Sequence, residues 1–352
     1  MSGKKHAMSL VFLIVLIVGT FGYLLKDIGL NGLMRAIKQA DITLLLLGLM
    51  LMIVFFVCEG LTIRAVTSSL GYPVTVRRGF VYACIDFYFS AITPSATGGQ
   101  PVCLYYMSKD KIPVSASGLA MLMQTVVYKM VLLLLGVWVM LAKNRWFEGG
   151  RLGVKLLFAL GFLINVIVIA VCLLAMFSRR AIRKMAIWVI RLAAKIRLVK
   201  KPDEVTQKLL RSLEEYARGA DYIRTHKWLV LKVIVITLVQ RIAMFSIAYC
   251  VYRAMGLSRY SLLDMIALQT LIAMAIDSLP LPGGMGASEG VFTLLYRSVY
   301  GVSMLVPALV LTRGINYYAG LLLSSISVIF NQSRIVRIEK RSQKKQEPSH
   351  SE

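Results

Sequence analysis

Histidine is almost missing from this sequence: three in 352 residues, at positions 6, 226 and 350. All three fall in basic loops or tails. No HExxH zinc motif can be built from them, and none can activate a nucleophile inside an apolar segment. Cysteine is sparse as well. Cys58, Cys84, Cys103, Cys172 and Cys250 lie within or beside apolar runs and form no CxxC pair. That spacing excludes a disulfide framework and a cysteine zinc site, and leaves small apolar packing residues. The sequence has no GxSxG elbow and no phosphate-binding P-loop. No cofactor or metal is expected, and Ser95 and Ser288 read as small wall residues rather than nucleophiles. Charge is scarce overall, at 16% of residues, against about 25% in soluble domains. Acids are scarcest, with 17 against 41 lysines and arginines.

Apolar residues take the place of all these. They make up 58% of the chain, against roughly 45–50% in a soluble domain. They gather in runs at 10–25, 43–57, 114–142, 154–177, 229–251 and 309–330. Crossing the hydrocarbon core takes about 20 mostly apolar residues. The runs therefore predict an all-α polytopic membrane protein. Lys4, Lys5 and His6 precede the first run as in a signal peptide. No small-residue cleavage site follows it, so a retained first helix is expected.

The net charge is +24. In a soluble chain that would suggest nucleic acid; here it suggests loops facing an anionic leaflet, and no nucleic-acid partner is expected. Lysine and arginine mark cytoplasmic loops. They cluster at Lys4 and Lys5, at Arg64, Arg77 and Arg78, and at Lys109 and Lys111. They recur through the loop 178–227 and in the tail after Phe330. Both termini are thus expected in the cytoplasm of a cell-membrane protein. The segments 26–41, 143–155 and 253–261 are expected outside. This accounting closes with about six full spans, near 8–25, 42–63, 114–142, 153–177, 228–252 and 303–330. It also requires two re-entrant half-helix hairpins, 79–100 and 262–300. Within the basic loop, apolar residues at helical spacing over 181–198 predict an amphipathic helix on the membrane surface. Residues 1–330 read as one transmembrane domain, and 331–352 as a disordered charged tail.

The two hairpin segments carry the most information. One contains Ile92-Thr-Pro94-Ser-Ala-Thr-Gly98-Gly99-Gln100-Pro101, the other Leu279-Pro-Leu-Pro282-Gly283-Gly284-Met-Gly286-Ala-Ser288-Glu289-Gly290. Proline breaks a helix, and glycine admits unusual dihedrals and close approach. Backbone groups freed in this way cannot face lipid and must line a protein-walled or wet cavity. Each break follows a helix with charged residues, Glu59 and Arg64 in one case and Arg241 in the other. Each precedes a helix with a basic residue, Lys129 or Arg313. The two units run in opposite directions. That is the pattern of an inverted repeat with its substrate site between broken helices. Ionisable residues at membrane depth are costly and functional by default. The candidates are Glu59, Asp86, Lys129, Arg241, Asp277, Glu289 and Arg313, whereas Arg64 lies near a helix end and reads as snorkelling. Glu289 opens a helix after the glycine-rich break, where a carboxylate meets the helix's positive end or a cationic ligand.

These motifs, together with Arg313, resemble the lysylphosphatidylglycerol synthase transmembrane-region family, the flippase-like domain of the multiple peptide resistance factor. The resemblance extends to about Phe330, and the Pro-Gly-Gly-x-Gly-x-x-Glu string is its specific part. It implies a membrane domain that translocates or binds a phospholipid such as lysylphosphatidylglycerol between leaflets, contributing to cationic peptide resistance. Lys129, Arg241 and Arg313 would then attract the phosphate, and Glu59, Asp277 and Glu289 would balance them or meet a lysyl amine. The family name also implies a lysyl-tRNA-dependent phosphatidylglycerol lysyltransferase. The residues to Glu352 hold no soluble domain for that chemistry, so the chain is not expected to be an enzyme by itself. A third alternative is a non-catalytic partner that docks a separate lipid synthase through the loop 178–227.

Overall fold

The computed structural model describes residues 37–93, 98–143, 146, 152–178, 180, 202–277 and 286–344, with backbone alone over 202–212 and 335–344. The expected span 8–25 and the amphipathic helix 181–198 lie outside the described residues. So do Pro94, Pro282, Gly283 and Gly284. Ten α-helices and one π-helical turn make up the described residues, with no strand among them.

Helix α1 is Ile42–Ser69, α2 Val76–Ala91, α3 Gly99–Lys109, α4 Val114–Ala142 and α5 Leu152–Phe177. Helix α6 is Pro202–Thr225, α7 Lys227–Ala254, α8 Leu262–Ile276 and α9 Ala287–Arg313. A π-turn, Gly314–Ala319, leads into α10, Gly320–Lys344. Local chemistry sets several of the starts. The Asp41 carboxylate accepts from Thr43 N at 2.8 Å to cap α1, and Thr75 Oγ1 accepts from Arg78 N at 3.2 Å to cap α2. Ser261 and Asp264 form a reciprocal capping box on α8.

Five helical stretches are long and apolar enough to cross a membrane: α1, α4, α5, α7 and the continuous run Ala287–Arg334. Helix α5 makes the case most sharply. Its mean hydropathy reaches 2.9, yet only 17% of that stretch is buried in the protein. Leu156, Leu160, Leu163, Ile167, Val171 and Leu174 all point outward. A helix apolar all round and left uncovered belongs in lipid. The chain is therefore a multi-pass helical membrane protein. A kink at Gly301, whose φ is 67°, separates the arm ending near 300 from the helix that follows it. One expectation is corrected: the tail expected to be disordered from 331 is helical to Lys344. Its first turn is held by Arg78 Nη1 on Asn331 Oδ1 at 2.5 Å and by Tyr106 OH on Gln332 Oε1 at 2.7 Å. Helix α6 was not foreseen. Tyr216, Ala220 and Ile223, spaced along one face, are buried against the bundle, and the Tyr216 hydroxyl donates to Ala175 O at 3.1 Å.

Contacts define two ends of the bundle. At the basic end, Asp110 binds Arg78, Arg334 at 3.1 Å and the Tyr82 hydroxyl at 2.7 Å. This brings the start of α2, the end of α3 and the middle of α10 together. At the opposite end, Asp41 N donates to Ala254 O at 2.9 Å. There Lys143 Nζ lies 3.1 Å from Asp264, and the rings of Tyr252 and Tyr300 meet at 5.7 Å. The start of α2 and the end of α3 thus lie at the basic end, and the start of α8 and the middle of α9 at the other. Helices α1 and α7 run antiparallel through the centre.

The crossing of α1 over α2 depends on two glycines. A Cβ on Gly60 would stand 2.5 Å from the carbonyl carbon of Gly79, and one on Gly79 would strike the Gly60 carbonyl oxygen. Backbone lies on both sides, so neither clash can relax by rotating a side chain. Gly60→Val is expected to destabilise the fold by about 1–3 kcal/mol through overpacking. Gly118→Ala, with open space around it, is expected to be neutral or to add up to about 1 kcal/mol. Thermal denaturation of the purified protein in detergent separates them, and equal midpoints for both variants would refute the packing argument.

Candidate functional site

At the first break, the chain satisfies itself through one threonine. Thr93 Oγ1 donates to Phe89 O at 2.6 Å and accepts from Gly98 N at 2.9 Å. Gly99 follows at the start of α3. Any Cβ there would collide with Asp86 and Ser90, so glycine lets the half-helix tip approach the Asp86 carboxyl. Gln100 Nε2 then donates to Thr125 Oγ1 of α4 at 2.6 Å.

At the second break, Gly286 adopts φ 81°, open to glycine at little cost. Its N–H donates to Glu289 Oε2 at 2.6 Å, and the Ser288 hydroxyl donates to the same oxygen at 2.9 Å. Arg313 Nε meets Glu289 Oε1 at 2.8 Å, and its other arm reaches Ser288 Oγ. Glu289, Ser288 and Arg313 therefore form one closed cluster, with the carboxylate over the positive end of α9.

Between the breaks lies a second cluster. Lys129 of α4 is paired with Asp277, at the C-terminus of α8, and the Tyr128 hydroxyl donates to the other Asp277 oxygen at 2.6 Å. Arg241 of α7 lies against two rings, 4.5 Å from the Tyr128 centroid and 5.0 Å from that of Phe55. Among the described residues it makes no ion pair, and its buried Nε has no hydrogen-bond partner. Glu59 of α1 is buried close to Arg241. Its oxygens accept from Gln124 Nε2 at 2.7 Å and Gln240 Nε2 at 3.2 Å. Asp86 of α2 is buried as well, close enough to Glu59 for the two carboxyls to act on each other.

The same contacts recur in both halves of the molecule. Gly286, Ser288, Arg313, Tyr317 and Asn331 each stand 188 positions after Gly98, Gln100, Thr125, Lys129 and Lys143. Asp264 and Asp277 each stand 186 after Arg78 and Ala91. Gln100 binds Thr125 as Ser288 binds Arg313. Lys129 binds Asp277 as the Tyr317 hydroxyl binds Ala91 O, at 3.2 Å. Arg78 binds Asn331 as Asp264 binds Lys143. The second and third relations cross from one half to the other.

The structure thus divides the sequence-selected residues into groups. It joins Glu289, Arg313, Ser288 and Gly286 at one break, and Gly98, Gly99 and Gln100 at the other. Lys129 and Asp277 form a pair, with Arg241 and Glu59 nearby. Sequence reading missed Phe55, Gln124, Thr125, Tyr128, Gln240 and Tyr317. Gln124 and Gln240 were visible as amides inside apolar runs, and Tyr317 as a polar tip one turn beyond Arg313. Asp110 was missed because it sits in a short basic loop.

Breaking a buried pair strands a charge, at about 3–5 kcal/mol. Lys129→Met alone and Asp277→Leu alone are expected to lower the unfolding midpoint sharply. The double variant is expected to recover most of the loss. A double-mutant cycle on thermal unfolding in detergent is expected to give a coupling above about 1 kcal/mol; strict additivity would show that the two charges do not depend on each other.

The lysylphosphatidylglycerol synthase transmembrane-region model matches residues 8–324. A UPF0104 membrane protein of Archaeoglobus fulgidus (strain ATCC 49558 / DSM 4304 / JCM 9628 / NBRC 100126 / VC-16) is 24% identical over 314 residues. The match spans 84% of this chain and 88% of that protein. With nearly the whole described bundle matched, the chain belongs to the lysylphosphatidylglycerol synthase transmembrane-region family.

Proposed function

We propose that this protein binds a phospholipid with an anionic or aminoacylated head group and passes it between leaflets. The observation that carries this reading is Arg241. A charge at mid-membrane costs about 2.5–3.5 kcal/mol on insertion scales. The cation–π contacts with Tyr128 and Phe55 offset part of that, at about 0.5–2 kcal/mol each. The guanidinium Nε still has a hydrogen-bonding capacity that no described side chain takes up, in the form that suits a phosphate. Lys129 and Arg313, by contrast, are already neutralised by carboxylates.

The recurring contacts support an inverted repeat, with 75–143 and 261–331 as its halves. The returning pairs α2–α3 and α8–α9 support two re-entrant hairpins that meet at membrane depth. Repeats of this kind move a substrate by rocking one half against the other around a central site. The basic end, with Arg78, Lys109, Lys111 and Arg334, supports a cytoplasmic location for that face in the cell membrane. Aminoacyl transfer, which the family's name also suggests, gains no support from the geometry.

The test uses purified protein in vesicles carrying fluorescent phosphatidylglycerol, with a membrane-impermeant quencher outside. Wild type is expected to expose inner-leaflet label far faster than empty vesicles. Arg241→Gln is expected to slow exposure at least about tenfold, the effect of losing some 1.4 kcal/mol of head-group binding. Glu289→Gln, which opens the Glu289–Arg313 cluster, is expected to abolish it without reducing membrane insertion. Arg241→Gln vesicles that exchange label at the wild-type rate would sink this reading.

A further inference from the structure

We propose that Glu59 and Asp86 form a proton-binding site, and that its proton is linked to the anion bound at Arg241. The linkage rests on the lipid-binding reading above; the proton site does not.

The site is built almost entirely of acceptors. Glu59 is 6% exposed and Asp86 9%. Two amides, from Gln124 and Gln240, donate to Glu59. Among the described residues no donor reaches Asp86 Oδ1, and none reaches the buried Gln124 Oε1. Asp86 Oδ1 points to the start of α3, where Gly99 leaves it room. Two adjoining buried carboxyls do not both carry charge; they hold one proton between them. Such a proton supplies the donor that the acceptors lack.

The groups facing the pair are few. From α7 comes Arg241, and from α3 the Cys103 thiol. On α2 itself lies Cys84, which Ser327 of α10 contacts. From α4 comes the neutral Gln124, with Tyr128 one turn on. Lys129 is matched by Asp277. Arg241 is thus the single cation facing the pair among the described residues. With Arg241 uncovered, its charge favours the ionised pair. An anion seated on Arg241 cancels that charge, and a carboxylate then takes a proton from water. By reciprocity, protonation strengthens anion binding to the same degree. Loading the head group and loading the proton become one event, at the first break.

Infrared spectroscopy of the purified full chain tests the site first. Wild type is expected to show a protonated-carboxyl C=O stretch near neutral pH. The conservative variants Glu59→Gln and Asp86→Asn are each expected to remove it. Absence of the band from wild type at every pH overturns the proposal, whether or not the variants fold. So does a band that survives both variants. The second measurement adds short-chain phosphatidylglycerol in weak buffer. Uptake of about one proton per lipid bound is expected, with affinity rising up to about tenfold for each unit of falling pH. Glu59→Gln, which removes the carboxyl that faces Arg241, is expected to bind with no uptake. Binding without uptake in wild type overturns the linkage. The band without any lipid binding upholds the proton site and sinks the lipid reading instead.

Discussion

A backbone N–H or C=O cannot turn to lipid for a partner, and this membrane protein ends and restarts helices within two of its apolar stretches, between Ala91 and Gly99 and between Ile276 and Ala287. The broken ends explain much of the nearby polar chemistry. Thr93 serves both sides of the first break with one hydroxyl. Glu289 takes the exposed amide of Gly286 at the second, and Arg313 then neutralises the carboxylate. Each repair is itself polar and must be satisfied in turn. Polar residues are therefore drawn in, Thr125 from α4 at one break and Arg313 from the far end of α9 at the other. A pair of kinks becomes a layer of polar side chains across an otherwise apolar bundle.

Within that layer the three candidate cations have different standing. Arg313 completes a helix terminus. Lys129 ties α4 to the end of α8. Only Arg241 stands on aromatic faces without a carboxylate partner, and it adjoins the carboxyl pair of Glu59 and Asp86. Counting charges in the sequence could not separate the three. All of them sit in apolar helices near a break, and the difference lies in partners that are 24, 148 or more positions away.

That separation also marks what the sequence could disclose. The runs 114–142 and 154–177 nearly coincide with α4 and α5, because a lipid-facing helix writes its length into composition. The breaks were legible because proline and glycine act locally. The partners were not. Helical periodicity names a face but not the register at which a distant helix meets it. Gln124 and Gln240 therefore looked like stray amides, although both converge on Glu59. Helix α6 escaped because its charged residues suggested a loop, while its buried stripe of Tyr216, Ala220 and Ile223 was overlooked. The start of the tail escaped because its order depends on Arg78 and Tyr106, more than 200 positions earlier.

The recurring contacts are equal in place but not in strength. Lys129 holds the end of α8 through a buried ion pair, reinforced by the Tyr128 hydroxyl. Tyr317 holds the end of α2 through one neutral hydrogen bond to Ala91 O and a small apolar cluster with Ala91 and Ile92. A neutral hydrogen bond contributes about 0.5–1.5 kcal/mol net, whereas parting a buried ion pair costs several. Judged by these two ties alone, the end of α2 is held less tightly than the end of α8.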